Sequence, residues 1–185
     1  LLSVWKNSTE NYYSEIMKND LTEGRMAFEK QLDIMCAGAF SVSNDSDLKW
    51  VYFLDGLKDG DNNIAALIRC NDMLRQTFAD SEHYQNYSVI MKNELIFRKS
   101  GMVVGDKFFY DNYCTYQNTD FETWRKQSFE SNTWQLFPLE EIDTGERTFQ
   151  AMTFSYPVRN YIQQEPEANA VVQFLLSKEN LEQMF

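Results

Sequence analysis

One histidine, three prolines and seven scattered glycines leave this 185-residue chain short of the residue types on which most catalytic and nucleotide-binding motifs are built. With His83 alone there is no HExxH pair, no ordinary zinc set and no local support for a Ser-His-Asp relay. His83, within Asp80-Ser81-Glu82-His83, reads as a surface turn residue. There is no GxSxG, no Walker loop and no GxGxxG, and the glycines are not gathered into a phosphate cradle. No run of 18 apolar residues is present, and neither is the n-region plus h-region of a secretory signal. Cys36, Cys70 and Cys114 have no paired spacing, which excludes a CxxC site. Each reads as a small core residue, and the odd count leaves at least one thiol free or bonded to another molecule.

Basic clusters are lacking as well. A formal net charge of −11, with no local concentration of Lys and Arg, repels phosphate backbones and anionic lipid headgroups alike. No nucleic acid partner is expected for this segment. Disorder is excluded from the other direction, because 43% of residues are hydrophobic and 15% aromatic against 24% charged. Beginning at Leu1 and ending at Phe185 without a terminal signature, the chain reads as a piece of a longer protein.

What is present is periodic. From Trp5 to about Phe40 there is no proline, and Met17, Leu21, Phe28, Leu32, Met35 and Ala39 recur at helical spacing, with Gly24 or Arg25 taking the missing turn. That predicts one helix of about 50 Å, or two helices broken near Gly24. The 47–57 segment is a short helix or a strand. A clearer helix follows, capped by Asn62 or Asn63, with Ile64, Leu67, Ile68, Met73, Leu74 and Phe78 as its apolar face and its end near His83.

Beyond it the period becomes two. Tyr87, Val89 and Met91 predict a strand, Lys92-Asn93-Glu94 a tight turn, and Leu95, Phe97 and the run up to Val104 a second strand. Short helices are expected over 106–113 and 120–129, the second capped by Asp120. Strand-like runs at 133–139, 147–158 and 169–177 close the chain ahead of a terminal helix over 181–185. The last run, with Val171, Val172, Phe174, Leu175 and Leu176, has the continuous apolar character of a central strand. Pro157 marks a strand end, and the polar loop 160–167 is expected to be exposed. The fold class is α+β: a long N-terminal helix packed on an antiparallel sheet of about five strands, with helices on one side. Residues 1–85 form the helical portion and 86–185 the sheet portion of one structural unit.

Among acids, Glu140-Glu141 with Asp143 is the obvious candidate for a carboxylate pair, but its place beside Gly145 suggests a solvated hairpin turn. Asp59-Gly60-Asp61-Asn62-Asn63 resembles half of a calcium loop but has Cys70 where the twelfth-position glutamate belongs. No metal, cofactor or catalytic residue is therefore expected. The informative constellation is aromatic: Tyr110, Tyr113, Tyr116, Phe121, Trp124 and Trp134, with Arg98 and Arg125 as charges able to clamp a carboxylate. These rings either line a pocket or fill the space between helices and sheet.

The order of features resembles the extracytoplasmic Cache sensor domains, PAS-like modules of bacterial membrane receptors such as sensor histidine kinases and membrane-bound AraC-type regulators. The resemblance rests on the long helix, the strand pair over 88–104 and Asp120-Phe121-Glu122-Thr123-Trp124-Arg125. It continues through Trp134-Gln135-Leu136-Phe137-Pro138-Leu139, Phe154-Ser155-Tyr156-Pro157-Val158, Ala170-Val171-Val172-Gln173-Phe174 and the terminal helix. It implies a domain on the extracellular side of the cell membrane, anchored by segments outside this chain. It also implies a dimer along the long helix and a small metabolite held against one face of the sheet, an amino acid, organic acid or sugar. Trp124, Trp134, Tyr156 and Tyr110 would line the pocket, with Arg125 or Arg98 supplying charge. The family's amino-acid pattern is incomplete here, since no Trp-Tyr pair follows an arginine. One PAS-like unit is visible, either a single-Cache domain or the membrane-distal half of a double one. Two other classes remain: a protein–protein interaction module without a small-molecule ligand, and an enzyme using carboxylates alone.

Overall fold

The computed structural model describes residues 2–51, 60–79, 84, 86–159 and 168–185. The expectations for His83, for the loop 160–167 and for residues 52–59 lie outside the described residues. The long helix is a single one, α1 (Leu2–Ser43), unbroken at Gly24. Its 42 residues run about 60 Å. The apolar stripe divides along this length: Met35, Ala39 and Val42 are buried and Phe28 and Leu32 partly so, whereas Met17 and Leu21 are exposed. The C-terminal half of α1 thus packs on the rest of the chain, while Met17 and Leu21 before Gly24 stand in the open.

The undecided segment becomes the helix α2 (Ser46–Val51), because the Asp45 side chain accepts from Leu48 N at 2.8 Å and caps it. Helix α3 (Gly60–Thr77) begins before the expected caps, so Asn63 is buried inside it, and it ends at Thr77, short of the expected end near His83. Its inward face is the i, i+4 row Ala66, Cys70, Leu74 and Phe78 with Leu67, while Ile64 and Ile68 are exposed. The row includes the small residues Ala66 and Cys70, and the bulkier isoleucines face outward.

The sheet has seven strands among the described residues, and all of its pairings are antiparallel. They are β1 (Asn86–Met91), β2 (Leu95–Arg98), β3 (Gly101–Val104), β4 (Thr115–Tyr116), β5 (Gln135–Asp143), β6 (Thr148–Val158) and β7 (Ala170–Ser177), in the spatial order β3-β2-β1-β7-β6-β5-β4. The excess over the expected five has two sources. The run up to Val104 folds back after Arg98 into β3, with Gly101 at φ 135°, and the two-residue β4 pairs with the far end of β5. Glu140 to Asp143, expected in a turn, instead extend β5. Helix α4 (Asp106–Tyr113) and helix α5 (Phe121–Glu130, capped by Asp120) stand where the sequence places them, and a short α6 (Lys178–Glu182) follows β7 directly.

Helices cover both faces of the sheet, not one. Alternation sends Tyr87, Val89, Met91, Phe97, Phe154 and Phe174 to the core shared with α1, α2 and α3. It sends Ile90, Ile96, Ile142, Ala151, Val171 and Leu175 to a second core against α4 and α5, with Phe109, Tyr110, Trp124 and Phe129. The reason is visible in β7, buried at every residue: a strand flanked by β1 and β6 and apolar on both sides needs a cover on each.

Candidate ligand pocket

Reading across the sheet at one level, Gln135 pairs with Ser155, Ser155 with Gln173, Gln173 with Ser88, and Ser88 with Arg98. Paired residues share a face, and here it is the face covered by α4 and α5. A polar row five strands wide therefore crosses an otherwise apolar core, and Ser88, Ser155, Gln173 and Arg98 within it are buried. Buried polar groups are tolerated when they are paired, at a cost of about 1–3 kcal/mol for each one that is not.

Helix α5 meets this row with Trp124 and Ser128, one turn apart. Ser128 Oγ donates to the Trp124 carbonyl at 2.7 Å, and Gln173 Nε2 lies 2.9 Å from the same oxygen. A hydroxyl has one proton, so Ser128 accepts from Gln173, which fixes the orientation of the Gln173 amide. Gln173 Oε1 is left buried without a partner, as are Gln135 Oε1 and the Trp124 indole Nε1.

Beside these groups is a cavity of about 140 Å³ between β5, β7 and α5, with Trp124, Ser128 and Gln173 on one side and Phe137, Pro138 and Glu140 on the other. A bulge shapes the second wall. Phe137 pairs with Thr153 and Glu140 with Ala151, so Pro138 and Leu139 stand opposite the single residue Met152. The extra residue lets Phe137 and Glu140, three apart, face the same side, the re-aiming that bulges give beside functional sites. Glu140 closes the rim: its carboxylate accepts from Asn118 N and, at 3.1 Å, from Thr119 Oγ1. Tyr116 shares a 2.9 Å hydrogen bond with Thr153 Oγ1, and burial pushes its phenol well above the ordinary range, with the charge of Glu140 adding to the rise. Tyr116 is therefore a neutral hydroxyl, and Glu140 is the one charged side chain in the cavity wall.

The six residues singled out from the sequence do not converge. Trp124 lines the cavity, and Tyr110 stands behind it, 5.4 Å between ring centroids, with its hydroxyl on the Thr119 carbonyl. Arg125 is on α5 but turns to Asp106 of α4. Arg98 belongs to the polar row at its far edge, with its guanidinium 3.8 Å over the Tyr113 ring and 3.8 Å from Glu146, in a separate cleft of about 320 Å³. Trp134 and Tyr156 are on the opposite face: Trp134 packs on Phe154 at 5.7 Å, and Tyr156 packs against the α1, α2 and α3 core. Sequence reasoning missed Ser128, Gln173 and the place of Glu140 in the cavity wall. One signal was available, since Gln173 is the lone polar residue in Ala170-Val171-Val172-Gln173-Phe174-Leu175-Leu176.

The architecture, a long helix laid against a seven-stranded antiparallel sheet, is α+β. It is shared by the crystal structure of the periplasmic sensory domain of the Campylobacter jejuni chemoreceptor Tlp1. That structure matches with a TM-score of 0.50 at 11% identity, over 88% of this chain and 59% of that one. The chain thus spans about three fifths of that structure's length, and at this identity the likeness is one of fold. No protein-family model and no curated protein matches the sequence.

Proposed function

We propose that this chain is an extracytoplasmic sensing domain of a bacterial membrane receptor, which binds a small metabolite between its sheet and α5 and has no catalysis of its own. The observation that carries the reading is the cavity wall, where buried residues Trp124 and Gln173 each keep a polar atom without a partner. A folded protein retains such groups at a cost, and a bound molecule removes it. The fold shared with a periplasmic sensory domain supports the class. No helix among the described residues is long and apolar enough to cross a membrane, so the anchor in this reading lies outside them.

Transmission follows from connectivity. Gln173 is on β7, β7 runs straight into α6, and the residues after α6 lie on α1 at Gly24. A ligand that prefers one placement of β7 and α5 shifts the balance between positions of α6 on α1, by no more than its differential affinity for the two. The test is a thermal-shift screen of amino acids, organic acids, amines and sugars, repeated on Ser128→Leu, which fills the cavity. A hit at a hundred times its Kd adds about 2.7 kcal/mol to the wild type. The same stabilisation in Ser128→Leu places binding elsewhere.

A second reading, an interaction module, is favoured by the exposed apolar side chains of α1: Met17, Leu21, Met26 and Phe40 are each at least 60% exposed. The two readings are compatible if α1 pairs with a second copy. Sedimentation of the wild type beside Met17→Glu/Leu21→Glu tests that pairing.

A further inference from the structure

We infer that the ligand of this cavity is a small amine without a carboxylate, held by Glu140 and the side-chain amide oxygen Oε1 of Gln173. The inference rests on the pocket reading above and adds the chemistry of the occupant.

Charge gives the first argument. The two arginines nearest in sequence logic are engaged elsewhere, Arg125 with Asp106 and Arg98 with Tyr113 and Glu146 in another cleft. The cavity wall holds no lysine or arginine, and its charged side chain is Glu140. A carboxylate ligand would meet like charge with no cation to offset it, whereas an ammonium meets an anion.

The sense of the unpartnered groups gives the second. Because Ser128 spends its proton on the Trp124 carbonyl, Gln173 must turn its NH2 to Ser128 and present an oxygen as its unsatisfied atom. An ammonium carries three donors and no acceptor, which is what an acceptor-rich wall takes. Trp124 supplies a donor, and its Nε1 suits a hydroxyl on the ligand.

Volume gives the third. At about 140 Å³ the cavity is close to the roughly 150 Å³ that admits a six-carbon ring. A molecule the size of an amino alcohol fits that volume.

The experiment uses three size-matched probes on the 185-residue chain: isobutylamine, isobutyrate and isobutanol, with ethanolamine as a fourth. Melting temperature and calorimetric Kd are read on wild type, Glu140→Gln and Ser128→Leu, with circular dichroism confirming that each variant folds. The expected result is that the amines alone raise the melting temperature, that Glu140→Gln weakens them about tenfold or more, and that Ser128→Leu abolishes the shift. Stabilisation by isobutyrate or isobutanol alone, lost in Ser128→Leu, overturns the amine assignment and leaves the pocket standing. Amine binding equal in wild type and Glu140→Gln also overturns it. No stabilisation by any probe counts against the pocket as well. Should Glu140→Gln fail to fold, Glu140→Ala takes its place, and unchanged amine affinity there is the overturning result.

Discussion

Arg125 of α5 donates through Nε to the carboxylate of Asp106, which is buried at the first turn of α4. This pair, with Arg125 about a third exposed, joins the two helices that cover the polar row. Removing the cation leaves a buried anion without its partner. Arg125→Ala is expected to destabilise by about 2 kcal/mol, below the full cost for a buried pair because the guanidinium is partly solvated. Asp106→Asn keeps a hydrogen-bonding group and costs less. Urea unfolding of both variants decides it, and equal, negligible losses would mean that the pair holds nothing together.

Gly24 is the second joint. A Cβ there would stand 2.2 Å from Phe185 Cδ1 and 2.9 Å from the Met184 carbonyl, so the chain end lies on α1 only because this residue has no side chain. Gly24→Ala gains about 1 kcal/mol of helix preference and displaces the Phe185 ring. The expected outcome is a melting temperature little changed and faster amide exchange at Met184, whose N–H bonds the Leu181 carbonyl. Unchanged exchange would show that α6 is held by other contacts.

Much of this was legible in the residues. Alternation gave β1 and the faces of its side chains, Asp120 gave the start of α5, and the helical stripe gave α1 but left open a break near Gly24. What was not legible has physical causes. Which isoleucines of α3 turn outward depends on the surface that α3 packs against, a property of the partner. The resemblance grouped Trp134 and Tyr156 with Trp124, yet strand parity puts them on the other side of the sheet. Glu140 looked like turn chemistry because a bulge, invisible in period-two reading, keeps β5 going to Asp143. Gln173 was the readable exception: a polar residue inside a run that must be buried on both faces.

The three thiols differ in access. Burial pushes Cys70 and Cys114 up to about 12, and the half-buried Cys36 is raised as well, also chiefly by burial. At pH 8 a thiol at about 12 is roughly one part in ten thousand thiolate. Iodoacetamide on the native protein should therefore label Cys36 first and slowly, with a single adduct by mass spectrometry, and three adducts only after unfolding. Rapid triple labelling would contradict this packing.

Asp120 links pH to α5. Its carboxylate accepts from Thr123 N at 2.8 Å, and that hydrogen bond holds its pKa below the ordinary 3.8. A depressed carboxyl contributes stability above the unfolded-state value, and the contribution is lost as pH falls through the folded one. Asp120→Ala should melt below wild type at pH 6, with the gap closing as pH drops below about 4. Asp120→Asn, which still caps, should show no such closing. A gap constant from pH 6 to pH 3 would assign the effect to something other than the charged cap.

Gln173→Leu separates stability from sensing. In the empty protein its amide makes one bond to Ser128 and leaves Oε1 unsatisfied, so an apolar residue of similar size removes a standing cost while Ser128 keeps its bond to Trp124. The variant is expected to be as stable as wild type or more so, by up to about 1 kcal/mol in urea. It should lose the response to whatever compound stabilises the wild type. A loss of 2 kcal/mol or more would instead make Gln173 a structural member of the core. A residue whose removal helps the fold and silences the response is one retained for its ligand.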